Sequence, residues 1–277
     1  MYNDVKKQHY IWEFYLKAWC FEGNKVWCNR DGNVFNTSTE NIAQERRFYE
    51  ITPLTKDELG LIEAGIEKCP KENHSLLKIK LQNLINHSLY SDNTRKNALE
   101  DEYADMERRT IPLLQSLRNG FTDILDNQYN KIIFSIFVGM QYTRTPKCRK
   151  GKISGLPDGP FQVSDNFLFY WSYIFFSDSI GSWTSSSKIS LLKNETKIPF
   201  VTGDQPVINI KSNYDNTPAK EIRLYYPISP KFALLFDEKE TFDNSVSIQD
   251  VLFYNEKIKQ ASEVLVIGNQ KDVVENA

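Results

Sequence analysis

Residues 131–140, KIIFSIFVGM, are apolar at almost every position. A helix with apolar residues all round has no face to offer water, so this one is expected to run through the core. It is expected to end before Pro146, because proline cannot continue a helix. Upstream, residues 72–141 carry helical spacing throughout. Leu76, Leu77, Leu81, Leu84 and Ile85 form one apolar stripe. Leu99, Tyr103, Met106, Leu113 and Leu117 form another, on a helix with a kink expected at Pro112. An earlier helix is expected from Asp57, with Leu59, Ile62 and Ile66 facing inward.

Downstream, KGKISGLPDGP (150–160) reads as a linker, followed by an aromatic-rich helix capped near Ser164-Asp165. After Trp183 the period changes. KISLL (188–192), PFV (199–201), PVINI (206–210), IRLYYPI (222–228) and FALLF (232–236) are short apolar runs between turn residues. That pattern predicts an antiparallel sheet. A helix from Ser247 to about Ala261 and a strand in EVLVIG (263–268) follow.

Near the start, YIWEFYLKAWCF (10–21) reads as a short buried segment. The KVWCNR and NVF runs around Asp31-Gly32 predict a type I′ hairpin. Thr37–Glu40 offers caps for a short helix ending near Arg46-Arg47. Strands at both ends around a helical middle give an α+β fold. The expectation is one domain over 1–277: a helical core at about 57–182, with sheet-forming segments at about 24–36 and 188–268.

The 277 residues carry 34 Lys+Arg against 36 Asp+Glu, a net charge of -2. No global field attracts nucleic acid, so such a partner would need a local patch. Cys20, Cys28, Cys69 and Cys148 show no CxxC spacing and read as free thiols of a cytoplasmic protein, neither a zinc site nor a disulfide frame. The opening MYNDVKKQHY has no apolar signal-peptide core, and the densest apolar runs are too short for a membrane span. HExxH, P-loop, GxSxG and GxGxxG spacings are all missing, which weakens the corresponding enzyme classes.

FVTGDQPVINI (200–210) sets Asp204 in a rigid turn between two short strands. The bland account is an Asx turn; the functional one makes Asp204 a site carboxylate, with Asp204→Asn then changing stability by under about 1 kcal/mol. His9 is a candidate general base or phosphate contact, against a histidine merely bonded at the core edge. Arg144 ends the apolar helix, where it complements the helix dipole or binds an anion. It begins RTPKCRKGK (144–152), in which Lys147, Arg149, Lys150 and Lys152 stand without an acid. That run is either a solvated loop or a substrate-binding strip for nucleic acid. Glu102 and Glu107 lie on different helix faces, and Glu100 reads as a solvated charge.

QHYIWEFYL (8–16), NIAQERRFY (41–49), QYTRTP (141–146), FVTGDQP (200–206) and YPISP (226–230), in that order, resemble the bacterial family DUF4238. The likeness runs from about His9 to Asn255. Its members tend to open on His-Tyr-x-Pro-x-Phe-Tyr-Leu and later carry Thr-Ser-Asp-x-Pro. Here Trp12 stands where proline is frequent and Gly203 where serine is frequent. The resemblance implies a shared fold and a shared site around His9, Arg144 and Asp204; it supplies no reaction.

The leading expectation is a cytoplasmic hydrolase, a nuclease or a toxin or phage-defence effector. His9 and Asp204 would be its acid–base groups, with Arg144 stabilising phosphate charge. Asp204 is also a candidate ligand for a divalent metal, with no second carboxylate identified beside it. Two other readings stand: a sensor of a nucleotide or other small anion, and an interaction protein with an aromatic surface.

Overall fold

The computed structural model describes residues 7–90, 92–150, 163–164, 166–213, 217 and 219–276. Strand β1 (Lys7–His9) pairs antiparallel with β4 (Gln44–Arg46), placing His9 opposite Gln44. Between them come helix α1 (Glu13–Leu16), a 3₁₀ turn at Lys17–Trp19, and the hairpin β2 (Lys25–Arg30)/β3 (Asn33–Ser38). Asp31 and Gly32 both have positive φ, 52° and 85°, which suits the twist of a two-residue hairpin turn. The helix expected up to Arg46-Arg47 shrinks to a 3₁₀ turn at Thr39–Asn41, capped by Ser38. Ala43 and Arg47 each sit at φ 54°, outside helical geometry, and the residues between them pair with β1 instead.

Helix α2 (Lys56–Lys68) starts one residue before Asp57 because Thr55 and Glu58 close a reciprocal capping box. Helices α3 (His74–Leu89) and α4 (Asp92–Arg118) follow, the latter running through Pro112. The KIIFSIFVGM segment lies in α5 (Gln128–Thr143), where Phe134, Phe137 and Val138 are fully enclosed. The short α6 (Pro146–Lys150) comes next; residues 151–160 of the expected linker, and Asp165, lie outside the described residues. Aromatic α7 (Phe167–Phe175) and α8 (Ser177–Ser186) complete the helical layer.

Two small residues set how closely α5 and α8 cross. A methyl group on Gly139 would overlap the Ser177 carbonyl oxygen, and one on Gly181 would lie 3.2 Å from the Ser135 carbonyl oxygen. Thr184 Oγ1 donates to the Ile180 carbonyl at 2.8 Å in the same contact zone. Backbones this close leave no room for a side chain between them.

The rest is built from β5 (Lys188–Lys193), β6 (Thr202–Gly203), β7 (Ile208–Asn209), β8 (Leu224–Pro227), β9 (Phe232–Asp237), α9 (Ile248–Ala261), β10 (Val266–Gly268) and α10 (Lys271–Asn276). Ser247 and Asp250 cap α9 reciprocally. The strands form one antiparallel sheet β5-β9-β8-β7 and a second, β3-β2-β10-β6, in which C-terminal β10 joins the N-terminal hairpin. The fold is therefore α+β, with strands from both ends of the chain beside a helical middle. The larger core lies among the helices and the N-terminal segment. A smaller one, with Phe200, Tyr225, Val251 and Ile258, lies between sheet and α9. Among the described residues no helix is long and apolar enough to cross a membrane.

Candidate acid–base site

The Gly-Asp-Gln-Pro turn is a junction. Both Asp204 carboxylate oxygens accept from backbone N–H groups, Oδ1 from Glu263 and Oδ2 from Val264, each at 2.8 Å. Its own N–H donates to the Leu265 carbonyl at 2.9 Å. Asp204 thereby fastens the loop between α9 and β10. Burial raises its pKa, and the two N–H groups work against that rise. Oxygens that face N–H donors present the wrong surroundings for a cation. Among the described residues no cluster of three His, Cys, Asp or Glu could hold a metal. Gln205 performs the same service for the helices: it accepts from Thr145 Oγ1 at 2.5 Å and donates to the Tyr142 and Val207 carbonyls. Gly203 has no room for a side chain, since a methyl group there would overlap Ser262 Oγ.

The basic run is also bound internally. Lys147 Nζ donates to the Ala261 carbonyl at 2.6 Å, at the C-terminal end of α9, where positive charge complements the helix dipole. Arg149 donates to the Phe48 carbonyl at 3.0 Å and to Asn166 Oδ1, and lies 4.9 Å over the Phe48 ring. Arg144 is 1% exposed. The Lys150 side chain and residues 151–152 lie outside the described residues.

His9 and Arg144 do share a space. They line a cavity of about 220 Å³ with Trp12, Glu13, Glu100, Tyr103 and Glu107; Asp204 is not among its walls. His9 comes from the end of β1, Trp12 and Glu13 from the start of α1, and Arg144 from just past α5. Glu100, Tyr103 and Glu107 come from α4, where i, i+3, i+7 spacing puts them on one face.

Arg144 Nη2 meets Glu107 Oε1 at 2.6 Å and Gln141 Oε1 at 2.5 Å, and its guanidinium lies 5.3 Å from the Tyr103 ring centroid. Burial disfavours the charge on Arg144, but Glu107 outweighs that and keeps the guanidinium protonated. Among the described residues Arg144 Nε has no acceptor. Glu100 makes no hydrogen bond or ion pair among the described residues. Burial first, then the neighbouring Glu107 charge, push its carboxyl up to about 7, with Arg144 pulling the other way. His9 moves in the opposite sense: burial lowers its pKa, the Thr39 carbonyl and Glu13 resist, and Arg144 lowers it further. A neutral imidazole whose Nε2–H donates to the Thr39 carbonyl, at 3.3 Å, leaves Nδ1 as its basic nitrogen. Glu13 accepts from Thr39 Oγ1 at 3.3 Å and pairs with Lys17 at 3.1 Å.

The sequence model of one protein family, described as "Protein of unknown function (DUF4238)", matches residues 7–167. The chain belongs to the DUF4238 family. No curated protein and no solved structure matches it. The matched span of this DUF4238 chain contains every residue that walls the cavity, from His9 to Arg144, and ends before Asp204. Trp12 is itself a cavity wall, its ring centroid 5.7 Å from that of Phe137 in an edge contact.

Sequence reasoning passed over Glu100 as a solvated charge and Glu107 as a poor metal partner for Glu102. A signal was present: both share a helix face with the apolar Tyr103, and a face that carries a core aromatic is an inward face. What the spacing alone lacked was Arg144, which arrives from another helix and neutralises Glu107.

Proposed function

We propose that this DUF4238 chain is a hydrolase of small carbonyl compounds, amides or esters, working in the cytoplasm through the His9–Glu100–Arg144 cavity. One observation carries the reading: among the described residues Glu100 makes no hydrogen bond or ion pair, and it faces a small polar cavity where burial pushes its carboxyl up to about 7. A base poised near the working pH is what proton transfer requires. Glu100 takes a proton from water as the water oxygen bonds to the carbonyl carbon. It then gives that proton to the leaving nitrogen or oxygen as the bond to carbon breaks. The Arg144 guanidinium, held by Glu107, stabilises the negative charge that develops on the carbonyl oxygen. His9, neutral with Nδ1 open, accepts a hydrogen bond from the attacking water. Four free thiols suit a reducing compartment.

A phosphodiester fits this cavity less well. Glu13 and Glu107 face it, Arg144 is already paired, and Lys147 and Arg149 are bonded to the protein itself. A nuclease or phage-defence activity is therefore the rival outcome of one experiment. The purified chain is offered small amides, esters, phosphodiesters, and single- and double-stranded nucleic acid. Turnover of an amide or ester should rise with pH through about 7, as Glu100 ionises, and should vanish in Glu100→Gln with the melting curve unchanged. Nucleic-acid cleavage indifferent to Glu100→Gln would overturn the proposal.

A further inference from the structure

We propose that the cavity recognises a protonated amine or guanidine, so that the substrate carries an organic cation beside its hydrolysable bond. This rests on the cavity being the reaction site and adds the class of group it selects.

Charge points that way. Glu13, Glu100 and Glu107 face the space, and Arg144 is the one permanent cation among the described residues that line it. The Arg144–Glu107 pair at 2.6 Å largely cancels itself. Glu13 keeps only a half-exposed lysine, Lys17, as its counter-ion. Among the described residues Glu100 forms no ion pair of its own. An ammonium entering here supplies the missing partner of a half-buried carboxyl; a phosphate or carboxylate would be set against two like charges.

The walls agree. Trp12 and Tyr103 present aromatic rings, and ring faces attract cations. Tyr103 already holds one, the Arg144 guanidinium at 5.3 Å. Carboxylates set among aromatic rings are the chemistry that binds organic ammonium groups out of water. A volume of about 220 Å³ admits a headgroup of a few heavy atoms and excludes a base pair or a folded peptide.

The proposal carries its own signature. Glu100 is faced by Glu107, Asp101 and Arg144, with His9 and Glu13 across the cavity. A bound cation favours the ionised carboxyl, so binding near pH 6.5 must release a proton from Glu100. His9 contributes less to that release, because burial holds its pKa below 6.5.

The probes are ethylammonium, acetate and inorganic phosphate, titrated at constant ionic strength by calorimetry in two buffers of different ionisation heat. Ethylammonium should bind with proton release. Glu100→Gln should abolish the release and weaken binding about fivefold or more, as removal of a partly desolvated charge partner does. Glu13→Gln should weaken binding while retaining the release. Acetate and phosphate should not bind. Phosphate or acetate binding as well as ethylammonium, or no ethylammonium binding at millimolar concentration, would overturn the proposal. So would ethylammonium binding that Glu100→Gln leaves unchanged. Cation binding without turnover of any amide or ester would sink the hydrolase reading alone. Turnover of neutral substrates that ethylammonium does not inhibit would sink the cation reading alone.

Discussion

Asp204→Asn separates a fastener from a catalytic carboxylate. The carboxylate receives two backbone N–H bonds, from Glu263 and Val264, both at 2.8 Å, and Asp204 is 1% exposed. Asparagine keeps one acceptor oxygen and turns an NH₂ group toward the second N–H. One hydrogen bond to a charged group is lost, typically worth about 1.5–3 kcal/mol. Two donors then face each other in a buried site, where an unsatisfied group costs about 1–3 kcal/mol. Relief from burying a charge offsets part of the loss. The expected destabilisation is about 2–4 kcal/mol, above the change of under about 1 kcal/mol expected had Asp204 been a site carboxylate. Urea unfolding followed by circular dichroism at pH 7 measures it, with ethylammonium binding to the folded variant as the control for the cavity, whose walls do not include Asp204. A loss under about 0.5 kcal/mol would refute the fastening role, because surface substitutions fall in that range. Intact stability with abolished turnover would return Asp204 to the reaction.

Gly139→Ala should lower the melting temperature and destabilise by about 1–3 kcal/mol, since its methyl group would enter the Ser177 carbonyl at the α5–α8 crossing. A gain of about 1 kcal/mol, the helix-propensity value of that exchange, would show that the two helices do not touch there. Asp237 offers a pH test. Partial burial opposes its ionisation, but the Lys239 and Glu240 N–H groups and Arg223 outweigh that and hold its pKa at about 2, below the usual 3.8. The stability it contributes is present above the unfolded pKa and lost as pH falls toward about 2. Asp237→Asn should flatten the acid limb of stability between about pH 4 and 2; an unchanged limb would contradict the pairing with Arg223.

The sequence by itself determined the elements whose reasons are local. Asp31-Gly32 set the hairpin because both residues tolerate left-handed backbone. KIIFSIFVGM set the buried helix because it had no polar face to expose. Ser247 set the start of α9 because its hydroxyl caps free N–H groups within one turn. The order of the family-like motifs, from His9 onward, also placed His9 and Arg144 among the residues to watch.

Only tertiary structure decided which charges are buried, because burial depends on what arrives from elsewhere in the chain. Glu107 is enclosed by an arginine that comes from α5, and Glu100 is isolated by the same packing. Asp204, conspicuous in its turn, spends its oxygens on a loop about sixty residues later. The dense positive run from Arg144 to Arg149 is spread by a short helix turn, so that each charge meets a different partner. A one-dimensional pattern records which residues are charged. Desolvation and counter-ions, which set what a charge can do, are properties of the packed chain.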